Sequence, residues 1–155
     1  VREVGSHWIC CLLEVFGYDA VVKVQARVVY PQDGDAAETL CKAALELNNG
    51  LTVDFDVVCG DEMLDDDVYS MEIRGSKATA TYANFTQLHV VDNHTGRTID
   101  ENSGQDGYGR VECVQELVKA IHGDAANMMS VHMGAKVQRI VEAILSNNGT
   151  WESML

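Results

Sequence analysis

Positive charge is scarce in this chain. Its 155 residues carry 11 Lys and Arg against 24 Asp and Glu, a formal net charge of −13. A surface this acidic repels phosphate backbones and anionic lipid heads, which argues against nucleic-acid and membrane-surface roles. No apolar stretch approaches the roughly 20 residues that span a bilayer, and the first residues lack the basic start and apolar run of a targeting signal. These absences lead us to expect a soluble, cytoplasmic protein. The five cysteines (Cys10, Cys11, Cys41, Cys59, Cys113) include no C-x-x-C pair. An odd set, mostly among apolar neighbours, reads as buried thiols in a reducing compartment rather than as a disulfide framework. The three glycosylation-type triplets at Asn84, Asn93 and Asn148 would matter only in a secreted protein.

Several catalytic signatures are missing as well. There is no G-x-G-x-x-G, no P-loop lysine and no G-x-S-x-G. The run Gly104-Gln105-Asp106-Gly107-Tyr108-Gly109 precedes a helix and resembles a phosphate cradle, but its glycines fall in the wrong order and Asp106 would repel a phosphate. The acidic stretch Asp61 to Asp67 lacks the central Gly and closing Glu of a twelve-residue calcium loop. We therefore expect neither cofactor-binding nor metal-binding residues on this chain.

What is present is enough apolar material, 46% of residues, to fill one core. The length fits one domain, residues 1–155. Gly5 to Phe16 is almost continuously apolar, with Ser6 as an N-cap and Gly17 as a stop, and reads as a helix. Ala20 to Tyr30 alternates, with Val22, Val24, Ala26 and Val28 on one side and Lys23, Gln25 and Arg27 on the other, and reads as a half-buried strand. Leu51 to Cys59 alternates in the same way. Ala36 to Leu47 fits helix or strand, and Asn49-Gly50, a dipeptide suited to a two-residue hairpin with positive φ at both positions, decides for strand. Further strands follow over Val68–Arg74, Ala78–Tyr82 and Phe85–Val91, then a long polar loop from Asp92 to Gly109. Val111, Val114, Leu117, Val118 and Ile121 share one helical face that stops at Gly123, and a last helix runs from about Val131 to Leu145. This order predicts an α+β fold: an open, mainly antiparallel sheet with helices packed on one face. The other face would be lined by Lys23, Gln25, Arg27, Lys42, Glu46, Asp54, Asp56, Glu72 and Arg74, a mixed polar surface able to meet solvent or a wet subunit interface.

His7 stands out chemically because it falls in the first turn of the opening helix. Unpaired backbone N–H groups make that end positive and disfavour a second positive charge. A neutral imidazole there can accept a proton from a hydroxyl, the task of a general base, and Glu3, four residues earlier, can orient it. The alternative is a histidine that only caps or packs at a helix start. His7, Cys10 and Cys11 also sit at i, i+3 and i+4, but no fourth ligand with metal-type spacing accompanies them, and core cysteines fit better.

Three segments together resemble the C-terminal domain of the glucose-fructose oxidoreductase / inositol dehydrogenase (Gfo/Idh/MocA) family. E-V-G-S-H-W-I-C-C-L-L-E-V-F-G resembles the family's D-x-G-x-H-x-I-D segment and its following helix. Met71 to Ala78 (M-E-I-R-G-S-K-A) resembles its strand, Gly turn and strand, and Val137 to Ile144 (V-Q-R-I-V-E-A-I) its final helix. The resemblance spans almost the whole chain in order. It implies a domain that binds a sugar or polyol substrate and forms a homo-oligomer, a dimer through the sheet's exposed face. It further implies an N-terminal Rossmann domain, absent here, that supplies NAD or NADP and a catalytic Lys for hydride transfer. His7 would then be the catalytic proton acceptor and Glu3 would stand where the family has Asp, one methylene longer. Cys10 replaces the family's later Asp. The abrupt start at Val1 reads as that of a fragment or processed piece, inactive alone. The competing expectation is a non-enzymatic sugar-binding or interaction module that kept the fold.

Overall fold

The computed structural model describes residues 1, 4–31, 37–58, 69–102 and 110–154. Its chain divides into two compact units, one of Val1–Leu64 with Met129–Leu155 and the other of Asp65–Met128. The fold is α+β with open antiparallel sheets, and the strands fall into two four-stranded sheets, one in each unit.

In the first unit, helix α1 (Val4–Phe16) precedes strands β1 (Val21–Val29), β2 (Leu40–Leu47) and β3 (Thr52–Val58). Helix α3 (Val131–Ser146) and the short strand β8 (Glu152–Ser153) return from the far end of the chain and complete it in the order β3-β2-β1-β8. All pairings are antiparallel, with a register shift between Val21 and Lys23. Period two then sorts the side chains. Val24, Ala26, Cys41, Ala43 and Leu45 are buried on one face, and α1 and α3 supply Ile9, Leu12, Leu13, Val137, Ile140, Val141 and Ile144 to the same core. The segment before Leu47 is a strand, as the hairpin argument requires. Its turn differs, however. Leu47 N–H donates to Leu51 O at 2.8 Å, and of Asn49 and Gly50 only Gly50 has positive φ, 83°. The loop is thus a three-residue type that closes on one left-handed glycine.

Both helices of this unit end as their sequences direct. Gly17 adopts φ 96° and its N–H donates to Leu13 O at 2.8 Å. Ser130 caps α3 by accepting from Met133 N–H at 3.2 Å. The expected N-cap of α1 needs correction: the helix already begins at Val4, so Ser6 lies inside its first turn. At the far end of α3, the Asn147 side chain accepts from the N–H groups of Ala26 (2.8 Å) and Gly149 (2.9 Å) and donates to Thr150 O (2.9 Å), tying the helix to β1.

The second unit contains β4 (Ser70–Arg74), β5 (Ala78–Ala83), β6 (Gln87–Asp92), β7 (Thr98–Asn102) and helix α2 (Arg110–His122). Its sheet is a plain meander in the order β4-β5-β6-β7. Strand β7 lies in the stretch expected to be a loop. Its sequence shows no alternation, because Ile99 alone among Thr98, Ile99, Asp100, Glu101 and Asn102 is apolar. Asn93 locks the β4–β5 turn to the β6–β7 turn: its N–H donates to Lys77 O and its side-chain amide to Gly75 O, both at 2.8 Å. Glu72 and Arg74, grouped by sequence with the charged face of the first sheet, belong to this second sheet.

The expectation of uniformly buried cysteines also needs correction. Of the four described, Cys41 is buried, Cys10 and Cys11 are half-buried and Cys113 is exposed; none of these four forms a disulfide. Cys10 and Cys11 flank the buried stripe of α1 rather than lying in it, and α2 leaves Cys113 in solvent. No helix among the described residues is long and apolar enough to cross a membrane.

Candidate functional site on the outer face of the first helix

The direction of each α1 side chain follows from which residues the core takes. Gly5, Trp8, Ile9, Leu12 and Leu13 are buried. At about 100° per residue these centre on one side of the helix, and His7 and Glu14 fall almost opposite. His7 is indeed exposed, at the fourth position of α1. The first turn can lie this close to the sheet because residue 5 is glycine. A Cβ there would come within 2.9 Å of the Phe55 ring on β3 and 3.5 Å of the Val1 side chain. Glycine thus sets the helix depth, and the helix period then turns His7 to solvent.

Around His7 the same outer face carries Cys10, Cys11 and Glu14, with Tyr18 just beyond the stop at Gly17. The Tyr18 hydroxyl donates to the Glu14 carboxylate and lies 3.8 Å from Cys10 Sγ. Burial, and then this hydrogen bond to Glu14, push the Tyr18 hydroxyl above its ordinary range, so it remains a proton donor at neutral pH. Burial, and then the neighbouring Cys10, raise the Cys11 thiol, which keeps it protonated. Asp19 forms an ion pair with Lys136 of α3, fixing the segment that follows the helix.

The sequence did not single out Glu14 and Tyr18. Their i, i+4 spacing across a helix stop was the available signal, hidden because Gly17 interrupts the pattern. Glu14 lies two turns from His7, about 10 Å along the axis at 1.5 Å per residue. A hydroxyl at His7 and one at the Glu14–Tyr18 pair would therefore be more than one sugar ring apart. Cys10, one turn from His7, is the nearer neighbour. Glu3 lies outside the described residues, as do the Asp61–Asp67 stretch, the Gly104–Gly109 run and Cys59. Among the described residues no group of three or more His, Cys, Asp or Glu is arranged to hold a metal ion.

No protein-family model and no curated protein matches the chain. Solved structures do. An oxidoreductase from Agrobacterium radiobacter, in complex with NAD+, L-tartaric acid and magnesium, superposes with a TM-score of 0.74 at 17% identity, covering 97% of this chain and 48% of that one. An oxidoreductase domain protein from Kribbella flavida gives 0.75 at 15% identity, covering 99% and 50%. An aldose-aldose oxidoreductase from Caulobacter crescentus, complexed with glycerol, gives 0.75 at 14%, covering 98% and 46%. The chain thus shares its fold with part of these oxidoreductases and spans about half their length.

Proposed function

We propose that this chain is the C-terminal, substrate-binding and oligomerisation domain of an NAD(P)-dependent sugar or polyol oxidoreductase of the Gfo/Idh/MocA type. It is not catalytically complete alone. The observation that carries this reading is His7: its sequence context resembles the family's D-x-G-x-H segment, and it stands in solvent on the side of α1 opposite the core. His7 accepts the proton of the substrate hydroxyl, and Glu3 supports it. A Rossmann domain joined to this chain holds NAD or NADP, which takes the hydride from the same carbon. The length of the oxidoreductases that share the fold leaves room for such a partner.

The charged face of the first sheet serves as the contact between copies in a homo-oligomer. The test of the catalytic assignment is His7→Ala in the protein joined to its nicotinamide-binding half. Loss of a general base should lower kcat by about 10²–10⁴-fold with cofactor affinity unchanged. Unchanged turnover would remove His7 from the reaction. A second reading, a sugar-binding or interaction module without chemistry, is favoured by Cys10, which stands where the family has a carboxylate. It would prevail if polyol binding persisted while no hydride transfer could be measured with either nicotinamide.

A further inference from the structure

Helix α3 begins on a cap with an unusual member. Ser130 stands at the N-cap and its hydroxyl oxygen accepts from the Met133 N–H at 3.2 Å, while the Ser130 N–H donates to the Met133 sulfur at 3.3 Å. This is the reciprocal capping box, in which Glu or Gln at the third helical position ordinarily supplies the second acceptor. In a chain of 24 Asp and Glu, none lies in the first turn of α3. A thioether accepts weakly where a carboxylate or amide oxygen would accept well. The Ser130 N–H therefore has a partner with the right place and reach but little strength.

One reaction gives that side chain the oxygen the box calls for. A hydroperoxide delivers an oxygen atom to a thioether: a sulfur lone pair attacks the peroxide and the O–O bond breaks as the S–O bond forms. The proton on the transferred oxygen passes to the departing hydroxide, leaving water when the oxidant is hydrogen peroxide. Sulfur loses two electrons, the peroxide gains them, and sulfoxide reductases return the thioether. We propose that Met133 is a reversible oxidation site whose sulfoxide oxygen takes over the Ser130 N–H and completes the cap. Peroxide then tightens the start of α3, whereas methionine oxidation inside a core disrupts packing.

The surroundings suit an added oxygen. Met133 is half-buried rather than sealed in the core, and the buried stripe of α3 begins one turn later at Val137. Its neighbour Gly134 has no side chain, and a Cβ there would meet nothing nearer than the Met129 sulfur at 3.9 Å, so the Met133 side chain has room to turn. The sulfoxide oxygen carries partial negative charge at the end of the helix where unpaired N–H groups make the field positive. Met128 and Met129, 44% and 52% exposed, lie just before the cap and meet the same oxidant. Neither occupies the third helical position, so oxidation there adds a polar group in solvent and leaves the cap as it is.

Hydrogen peroxide treatment of the intact protein, followed by peptide mass spectrometry and amide hydrogen exchange, tests this assignment. Met133 should gain oxygen while the protein stays folded, and exchange of the Ser130 N–H should slow about fivefold, the equivalent of roughly one strengthened hydrogen bond. Methionine sulfoxide reductase should restore the original rate. Two variants, both checked for folding by thermal melts, separate Met133 from its neighbours. Met133→Gln places an amide oxygen at similar reach and should slow the exchange without peroxide. Met133→Leu removes the acceptor, should speed the exchange, and should make it indifferent to peroxide even as Met128 and Met129 oxidise. The proposal is overturned by a Met133 that stays reduced until the protein unfolds, by Ser130 exchange that rises or holds constant on oxidation, or by a Leu variant that responds to peroxide as the native protein does.

Discussion

The two units of this chain are built from similar numbers of strands but hold their apolar residues differently. The first unit, with sheet β3-β2-β1-β8 and its two helices, holds every buried side chain among the described residues, including Ile9, Leu13, Val24, Leu45, Val141 and Ile144. No described residue between 65 and 128 is buried, and in α2 the stripe of Val114, Leu117, Val118 and Ile121 is exposed, up to 73% at Ile121. An amphipathic pattern establishes that a helix has an apolar face, not that the face is covered. Helices on both ends of the first unit give its strands something to pack against. The second unit depends instead on hydrogen-bonded turns, with Asn93 bridging two of them and Asn84 and Phe85 held at φ 51° and 58° in a third.

Matched substitutions should expose that difference most strongly. Leu45→Ala in the first unit removes a fully buried side chain and should cost about 2–5 kcal/mol. Leu88→Ala, half-buried on β6, should cost about 1 kcal/mol. Denaturant unfolding measures both, and equal losses would erase the contrast. Next in size is Asn147→Ala. It strips the partner from the Ala26 N–H in the middle of β1 and should destabilise the first unit by about 1–3 kcal/mol, read as a lower unfolding midpoint with the slope unchanged.

The smallest effect concerns the turn after β6. The backbone N–H groups of Thr95, then His94, hold the Asp92 carboxyl below its ordinary range. A carboxyl lowered by folding contributes stability that is complete above the unfolded value and is lost as pH falls through the folded one. Amide protection at residues 94 and 95 should therefore hold at neutral pH and fade only below about pH 4, the ordinary Asp range. Loss of protection at higher pH would show that the carboxylate does not hold the turn.

The sequence made the first unit readable because alternation in β1 and β3 and the 3.6 period in α1 and α3 are each enforced by a real core. It also placed α2 and the strands β4, β5 and β6. It missed β7 and β8, the first because its residues are polar on both faces and the second because two residues carry no period. Of the site, the place of His7 in the first turn of α1 was legible from the helix start, whereas its exposure followed only once the buried stripe of α1 was known. The depth set by Gly5 was not, since it depends on Phe55 fifty residues away, and neither was the Tyr18–Glu14 bond across the helix stop.

The most direct measurement is a polyol titration of the protein joined to its nicotinamide-binding half, followed through the imidazole resonances of its histidines. If His7 receives the substrate hydroxyl, its signal should move with saturation while those of His89, His94, His122 and His132 stay fixed. A polyol that binds and leaves His7 unmoved would contradict that role.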